Sequence, residues 1–429
     1  MHIGYACQTI GIHSTNFKTC ILKNADEANL NKIINYNLDS LDKILDYNIS
    51  NNIKLFRITS DLIPFGSSPA NTLKWWEIYK DQFEALGKKA IDNNMRLSMH
   101  PGQYTLLNSP NEDVVVRSIL DLEYHNRILD SMKLNKSNKL ILHIGGVYGD
   151  KDEAIKRFIN TWKYLDRELK DRIILENDDK LYTISDVLYI AEQVDNPVVF
   201  DNLHNKINQS IEPLDEIEWI NRCKKTWKQE DGTQKIHYSD QNPLKKLGSH
   251  SDTIDGEAFQ SFCHRLGRED IDIMLEVKDK NQSTIKCMNF VTTNSSITLL
   301  ENEWSRYKYA VLEKSPTDYN QIRNLLKDKD SYPVEAFYRH INHAMEQEVE
   351  SGKAINAAQH VWGYFTEWAD EKEKVTFEKR CASYLEGKLS LNALKKYLWK
   401  LSMKYNQEYL LHSYYFAEVM TKPASSEDL

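Results

Sequence analysis

Five histidines, two glutamates and an aspartate stand where they can gather divalent cations: His100, His143, His204, His237, His250, Glu176, Glu276 and Asp201. Imidazole mixed with carboxylate suits Zn2+ or Mn2+, and no thiolate joins the set to force zinc. The set is too large for one tetrahedral shell. It suggests two or three ions, with Glu176 or Asp201 bridging. Clustered divalent ions suit phosphodiester hydrolysis best, because they activate a water and stabilise the leaving oxygen. Taken singly, each residue reads more simply as a hydrogen-bonded or solvated strand end. Gathered from six successive strands, they point to one metal-binding face.

Two further stretches belong with this set. In "KIHYS", Lys235 and His237 lie two apart on a strand and so face the same way. A protonated lysine beside metal ions is disfavoured. Either Lys235 turns to solvent or a phosphate, which chemistry alone prefers, or its amine takes up CO2 and becomes an anionic carbamate ligand. In "HPGQY", Pro-Gly forms a sharp turn after His100. That turn lifts Gln103 and Tyr104 above the metal face. A planar amide and an aromatic ring suit insertion into a base stack, although an ordinary loop with a packed tyrosine is the simpler reading. Tyr5, near the end of the first strand, is placed to help in the same way.

The elements that must position these residues alternate. Strand-type runs fall at 2–7, 53–59, 95–100, 139–145, 172–177, 197–202, 234–239 and 272–277. Helical stretches fall between them at 29–50, 74–93, 112–132, 152–169, 184–195, 213–224 and 255–266, with another near 279–289. Several strands are almost continuously apolar, as parallel strands covered on both faces are. Eight such units predict an α/β (β/α)8 TIM barrel, and barrels carry their chemistry at the C-terminal ends of the strands. A doubly wound open sheet is the alternative. From about residue 295 the alternation stops, and 316–413 reads as helical throughout. The expected division is a metal-cluster barrel at 1–292, a polar linker near 291–298, an all-α C-terminal domain at 299–420, and a disordered tail at 421–429.

Composition sets outer bounds. The chain has 429 residues, 28% charged and 41% hydrophobic, with net charge −8. These values fit a soluble globular protein. The negative balance argues mildly against a nucleic-acid partner, but carboxylates that bind cations are neutralised in the folded site. There is no apolar run long enough to span a membrane, and "MHIGYACQTIG" lacks a signal-peptide pattern. The six cysteines are scattered without a CxxC pair, as expected of reduced thiols in a cytoplasmic protein.

The pieces "GYACQ", "RITSDLIPF", "MHPGQYTLLNSP", "LHIGG", "LENDD", "FDNLHN", "KIHYSD", "GSHSD" and "IMLEVKDK" occur in this order. Together they resemble the UV damage endonuclease family (the UvsE/UVDE type), over roughly residues 1–290. The resemblance implies a barrel related to endonuclease IV with a cluster of up to three divalent ions, usually Mn2+, with Zn2+ or Mg2+ as alternatives. It implies nicking of double-stranded DNA immediately 5′ to cyclobutane dimers and 6-4 photoproducts, with the damaged nucleotides flipped out. Abasic sites are a further implied substrate. It carries over all eight ligands, gives Glu176, Glu276 and Lys235 catalytic roles, and turns the balance for Lys235 toward the carbamate. Gln103, Tyr104 and Tyr5 match residues that probe or fill the gap beside the lesion. Two positions depart from the family pattern: Ser68 stands where a histidine is frequent, and Thr9 where an asparagine is.

"EWSRYKYAVLE", "FYRHINHA" and "HVWGYFTEW" resemble a helical domain of unknown function. That domain is close to neutral, so it is not an obvious DNA-binding tail. His340 and His343 are helix neighbours there, and a surface or packing role is preferred to a metal pair. A monomer is expected. Two other readings stand beside the endonuclease: a metal-dependent sugar isomerase or epimerase barrel, and a lesion-binding protein that does not cleave.

Overall fold

The computed structural model describes residues 1–421. The tail expected at 421–429 therefore lies outside the described residues from 422 on. The chain divides into two compact units. One comprises Met1–Gln8, Phe17–Asp255 and Ser261–Ile285; the other comprises Thr9–Asn16, Gly256–Gln260 and the chain from Lys286 on. A single division at 292–299 does not anticipate the two short segments that join the second unit.

The first unit is a closed barrel of eight parallel strands in sequence order. The strands are β1 (His2–Ala6), β2 (Leu55–Ile58), β3 (Arg96–Met99), β4 (Leu140–His143), β5 (Ile173–Glu176), β6 (Val198–Asp201), β7 (Gln234–Tyr238) and β8 (Ile271–Leu275). Seven fall inside their expected runs and β8 begins one residue earlier, at Ile271; every strand is shorter than its run by a residue or more. Branched apolar residues such as Ile173, Ile174, Val198 and Val199 are fully buried, as strands covered on both faces require.

The helices between the strands start at side-chain caps written into the sequence. Asp26, Asn111 and Asp150 each accept from a first-turn N–H, and Thr183 with Asp186 forms a reciprocal capping box. The stretches expected at 74–93 and 152–169 each break in two, giving Trp75–Ile78 with Lys80–Asp92, and Lys151–Tyr164 with Arg167–Lys170. A short helix, Asn202–Ile207, was not expected; Asp201 caps it.

Register does the first part of the positioning. His143 pairs with Glu176 across β4 and β5, and Asp201 pairs with His237 across β6 and β7. Paired residues on neighbouring strands face the same way. Four candidate ligands thus enter the barrel from the strand ladder itself.

The opposite end of the strands is closed by buried charge. The Arg96 guanidinium lies 2.9 Å from Asp272 Oδ2, and Lys139 is paired with Asp231. Arg172, fully buried and one residue ahead of β5, donates to the carbonyls of Leu134, Asn135 and Asn138 and to Asp130 Oδ1. It thereby ties the approach of β4 to β5, the strand that ends in Glu176.

The second unit is helical, as expected. Its main helices are Ile297–Lys314, Pro316–Leu325, Val334–Glu346, Ser351–Trp362, Glu371–Leu385 and Leu391–Lys404. The first of these begins inside the expected linker, where Ser296 accepts from the N–H of Thr298. His340 and His343 share one carboxylate: their Nδ1 atoms lie 2.8 and 2.7 Å from the two oxygens of Asp318. The pair clips Val334–Glu346 to Pro316–Leu325, which is the packing role preferred from sequence. Among the described residues, none of the six cysteines is in a disulfide. Among the described residues, no helix is long and apolar enough to cross a membrane.

Arg172→Met removes the buried donors and leaves several backbone carbonyls without partners. Losing one partner of such a network costs about 3–5 kcal/mol. Calorimetry is expected to show the barrel's unfolding transition lowered by roughly 10 °C.

Candidate metal centre

Glu176 ends β5 and is almost wholly buried, at 1% exposure. Its two oxygens serve different neighbours. Oε1 lies 2.6 Å from His237 Nδ1, while Oε2 lies 3.0 Å from His100 Nε2 and 3.4 Å from His143 Nε2. Burial pushes the Glu176 carboxyl up, but the charges of His237 and His143 outweigh it and hold it well below the ordinary range. It is therefore an anion with imidazoles on both sides.

The rest of the set closes around it. Glu276, just past β8, lies 3.3 Å from His237 Nδ1 and 3.6 Å from His250 Nε2. Burial raises Glu276, and the Arg57 guanidinium with His237 more than reverses this. Asp201 is fully buried, and its Oδ1 accepts from the backbone N–H of His204. Burial raises its pKa, reinforced by the charges of Glu176 and Glu276. His204 moves the other way: burial would lower it, but Asp201, Glu176 and Glu276 lift it to about 9. The His143 ring lies 5.1 Å from that of His100 and 5.6 Å from that of His204. All eight side chains singled out from sequence thus share one cluster.

Two observations decide whether these residues fit cations. Buried polar atoms left without partners are rare in folded chains. Here His237 Nε2, Asp201 Oδ2 and His143 Nδ1 are all buried and lack a hydrogen-bond partner. Two groups of ligand atoms also lie close enough to share an ion each: His100, His143 and Glu176, and Glu176, Asp201 and His237. Glu176 belongs to both.

Three histidines are backed from behind. His100 Nδ1 lies 2.9 Å from Pro101 O, His204 Nδ1 2.9 Å from Asn177 O, and His250 Nδ1 2.8 Å from Ser239 Oγ. With Nδ1 held by these acceptors, a bound cation would take the place of a proton at Nε2, the arrangement that orients metal-bound imidazole. The residues fit divalent cations.

The profile of the UV-endonuclease UvdE family matches residues 1–307 of this sequence. The chain belongs to the UvdE family. A second profile, described only as a protein of unknown function (DUF1722), matches 308–419. A UV DNA damage endonuclease of Clostridium perfringens (strain 13 / Type A) is 41% identical over 335 residues, covering 76% of this chain and 80% of that protein. One from Bacillus cereus (strain G9842) is 32% identical over 277 residues, covering 64% and 86%. The crystal structure of SacUVDE superposes with a TM-score of 0.62 at 36% identity, covering 67% of this chain and 96% of that one.

The remaining expected residues of this UvdE-family chain divide. Gln103 and Tyr104 are exposed at the turn after β3, with Tyr104 66% accessible. Tyr5 departs from expectation. It is fully buried, packed edge-on against Phe56, and donates to Asn48 Oδ1 at 2.8 Å. The helix Glu27–Ser50 covers it, so it packs the barrel and does not reach a lesion. Lys235 is fully buried and its Nζ has no hydrogen-bond partner. Burial, then the charge of Arg96, drives its pKa far below that of a free lysine. Ser68 accepts from the Ala70 N–H at 3.3 Å and so serves its own turn. Thr9 is buried in the second unit and its carbonyl accepts from Thr15 Oγ1.

Sequence reading missed three supporting residues. Arg57 enters the barrel from β2 and pairs with Glu276 Oε1. Its signal was a lone charge in an otherwise apolar strand, "LFRI". Asn177 exchanges hydrogen bonds with the backbone of Asp201. Ser239 donates to the Glu276 carbonyl while backing His250.

Titration of the metal-free protein with Mn2+ is expected to raise its thermal unfolding midpoint, because a ligand that binds only the folded state stabilises it. His237→Ala is expected to abolish that rise. Ser239→Ala, which frees His250 to rotate, is expected to weaken Mn2+ binding by about tenfold in calorimetric titration.

Proposed function

We propose that this chain hydrolyses one phosphodiester bond of UV-damaged double-stranded DNA, immediately 5′ to the lesion, at the mouth of the barrel. Cyclobutane dimers and 6-4 photoproducts are the substrates of this reading, with abasic sites as a further one. One observation carries it: seven ligand-type side chains gather around buried Glu176, in a chain of the UvdE family.

The residues divide the work. Glu176 offers one oxygen to the His100–His143 side and the other to the His237 side, so it is built to bridge. Asp201 and His204 hold one flank, and Glu276 with His250 holds the other. Divalent ions held there, Mn2+ first with Zn2+ or Mg2+ as alternatives, would supply Lewis acidity that activates water and neutralises charge on the phosphate. Arg57 keeps Glu276 ionised and fixes its orientation.

Lys235 supplies a further anion in this reading. Burial disfavours the charged form of its amine, and a neutral amine is the form that adds CO2. Nitrogen attacks the carbon, a proton leaves, and the product is a carbamate with two donor oxygens. Gln103 and Tyr104 stand clear of the barrel on their turn. An amide and a ring at that height suit the gap left in a duplex when damaged nucleotides swing out. Tyr5, buried against Phe56, takes no part.

A labelled duplex carrying one defined cyclobutane dimer tests the reading in the presence of Mn2+. The expected product is a single nick immediately 5′ to the dimer, absent from undamaged duplex and lost in Glu176→Ala. A Mn2+-loaded enzyme that leaves the damaged duplex whole, or cuts both duplexes alike, contradicts it. Tyr104→Ala is expected to retain its metal but lose about tenfold in kcat/KM on the dimer, since one base stack is worth roughly 1–3 kcal/mol.

A further inference from the structure

The helical unit carries a cluster that the barrel's chemistry does not use. Lys308 and Tyr309 lie on the helix Ile297–Lys314, and Tyr319 and Arg323 lie one turn apart on Pro316–Leu325. Tyr364 follows the helix Ser351–Trp362, and Tyr409 sits in the short helix Glu408–Leu411. These four helices bring four phenols and two cations together.

Tyr309, 3% exposed, donates a 2.9 Å hydrogen bond to the Tyr364 hydroxyl. Tyr364 and Tyr409 are nearly parallel, 10° apart with centroids 5.6 Å apart. Tyr409 is 36% exposed. Lys308 Nζ lies 4.7 Å from the Tyr309 ring centroid and 5.3 Å from that of Tyr409. Arg323 lies over Tyr319 at 5.7 Å.

Among the described residues, neither Lys308 nor Arg323 has a carboxylate partner. Half-burial, then the charge of Arg323, pushes the Lys308 ammonium down from its ordinary pKa. Two neighbouring cations left uncompensated on an otherwise acidic chain need another reason to be there. Cations beside exposed aromatic faces are the elements that bind a phosphate together with a flat ring.

We infer that the helical unit holds a second site, for a nucleotide: Lys308 and Arg323 take the phosphate, and the base stacks on Tyr409. The nucleotide can be free or part of a single strand, since both present the same phosphate and ring. This site is independent of the barrel's reaction, and nothing in the barrel is needed to form it.

The full chain tests this with two probes: dTMP in calorimetric titration, and a labelled eight-nucleotide oligothymidylate in fluorescence anisotropy. Any strand binding by the barrel is common to all variants, so the difference from the parent chain isolates this site. Lys308→Glu is expected to weaken binding by about tenfold or more, and Tyr409→Ala by about fivefold. Loss for both probes identifies the nucleotide itself as the ligand, and loss for the oligonucleotide alone identifies a strand. Unchanged affinity for both probes in both variants overturns the inference, as does a parent chain that binds neither. Should Lys308→Glu fail to fold, Arg323→Glu at its exposed position carries the same test.

Discussion

A buried carboxylate with imidazoles on both sides is the constraint on which the barrel's architecture turns. Taking an ionised glutamate out of water costs several kcal/mol unless partners replace the lost hydration. Glu176 has three such partners, and each comes from a different strand end. The closed parallel sheet is what brings β3, β4, β5 and β7 to one mouth at this spacing. Of these partners, His100 is backed by the Pro101 carbonyl; elsewhere in the cluster the Asn177 carbonyl backs His204 and Ser239 backs His250. Three atoms of the cluster, His237 Nε2, Asp201 Oδ2 and His143 Nδ1, are left buried without partners. Such a site is costly as a purely structural network and makes sense as a cation-binding one.

The same alternation explains the neighbours of β7. Lys235 and His237 face inward because residues two apart share a face. His237 reaches the ring of ligands. Lys235 sits where Arg96, Asp272, Arg57 and Lys139 set its surroundings. Three of those four are cations, so a further positive charge there is opposed. Burial and these cations together disfavour the charged form of the Lys235 amine.

Much of the site was legible because metal-ligand residue types recur at the ends of successive strands. His100, His143, Glu176, Asp201 and Glu276 each end a short apolar run or directly follow one, and barrel topology does the rest. What was not legible depends on tertiary contact. Tyr5 looked available at the end of its strand, but nothing in "GYACQ" reveals that Asn48 lies over its hydroxyl. Arg57 looked like a stray charge because its partner is more than two hundred residues away. The grouping of Thr9–Asn16 and Gly256–Gln260 with the C-terminal helices has no local signal at all. In the helical unit, spacing alone raised both packing and metal binding for His340 and His343. Asp318, on another helix, decides for packing.

The central claim is that these eight side chains hold more than one divalent cation around Glu176. Anomalous diffraction from a Mn2+-soaked crystal, recorded on both sides of the manganese edge, tests it most directly. At least two peaks are expected, roughly 3.5–4 Å apart, beside Glu176 and in contact with His237 and Asp201. A single peak away from Glu176, or no peak in a crystal that keeps this barrel intact, would contradict it.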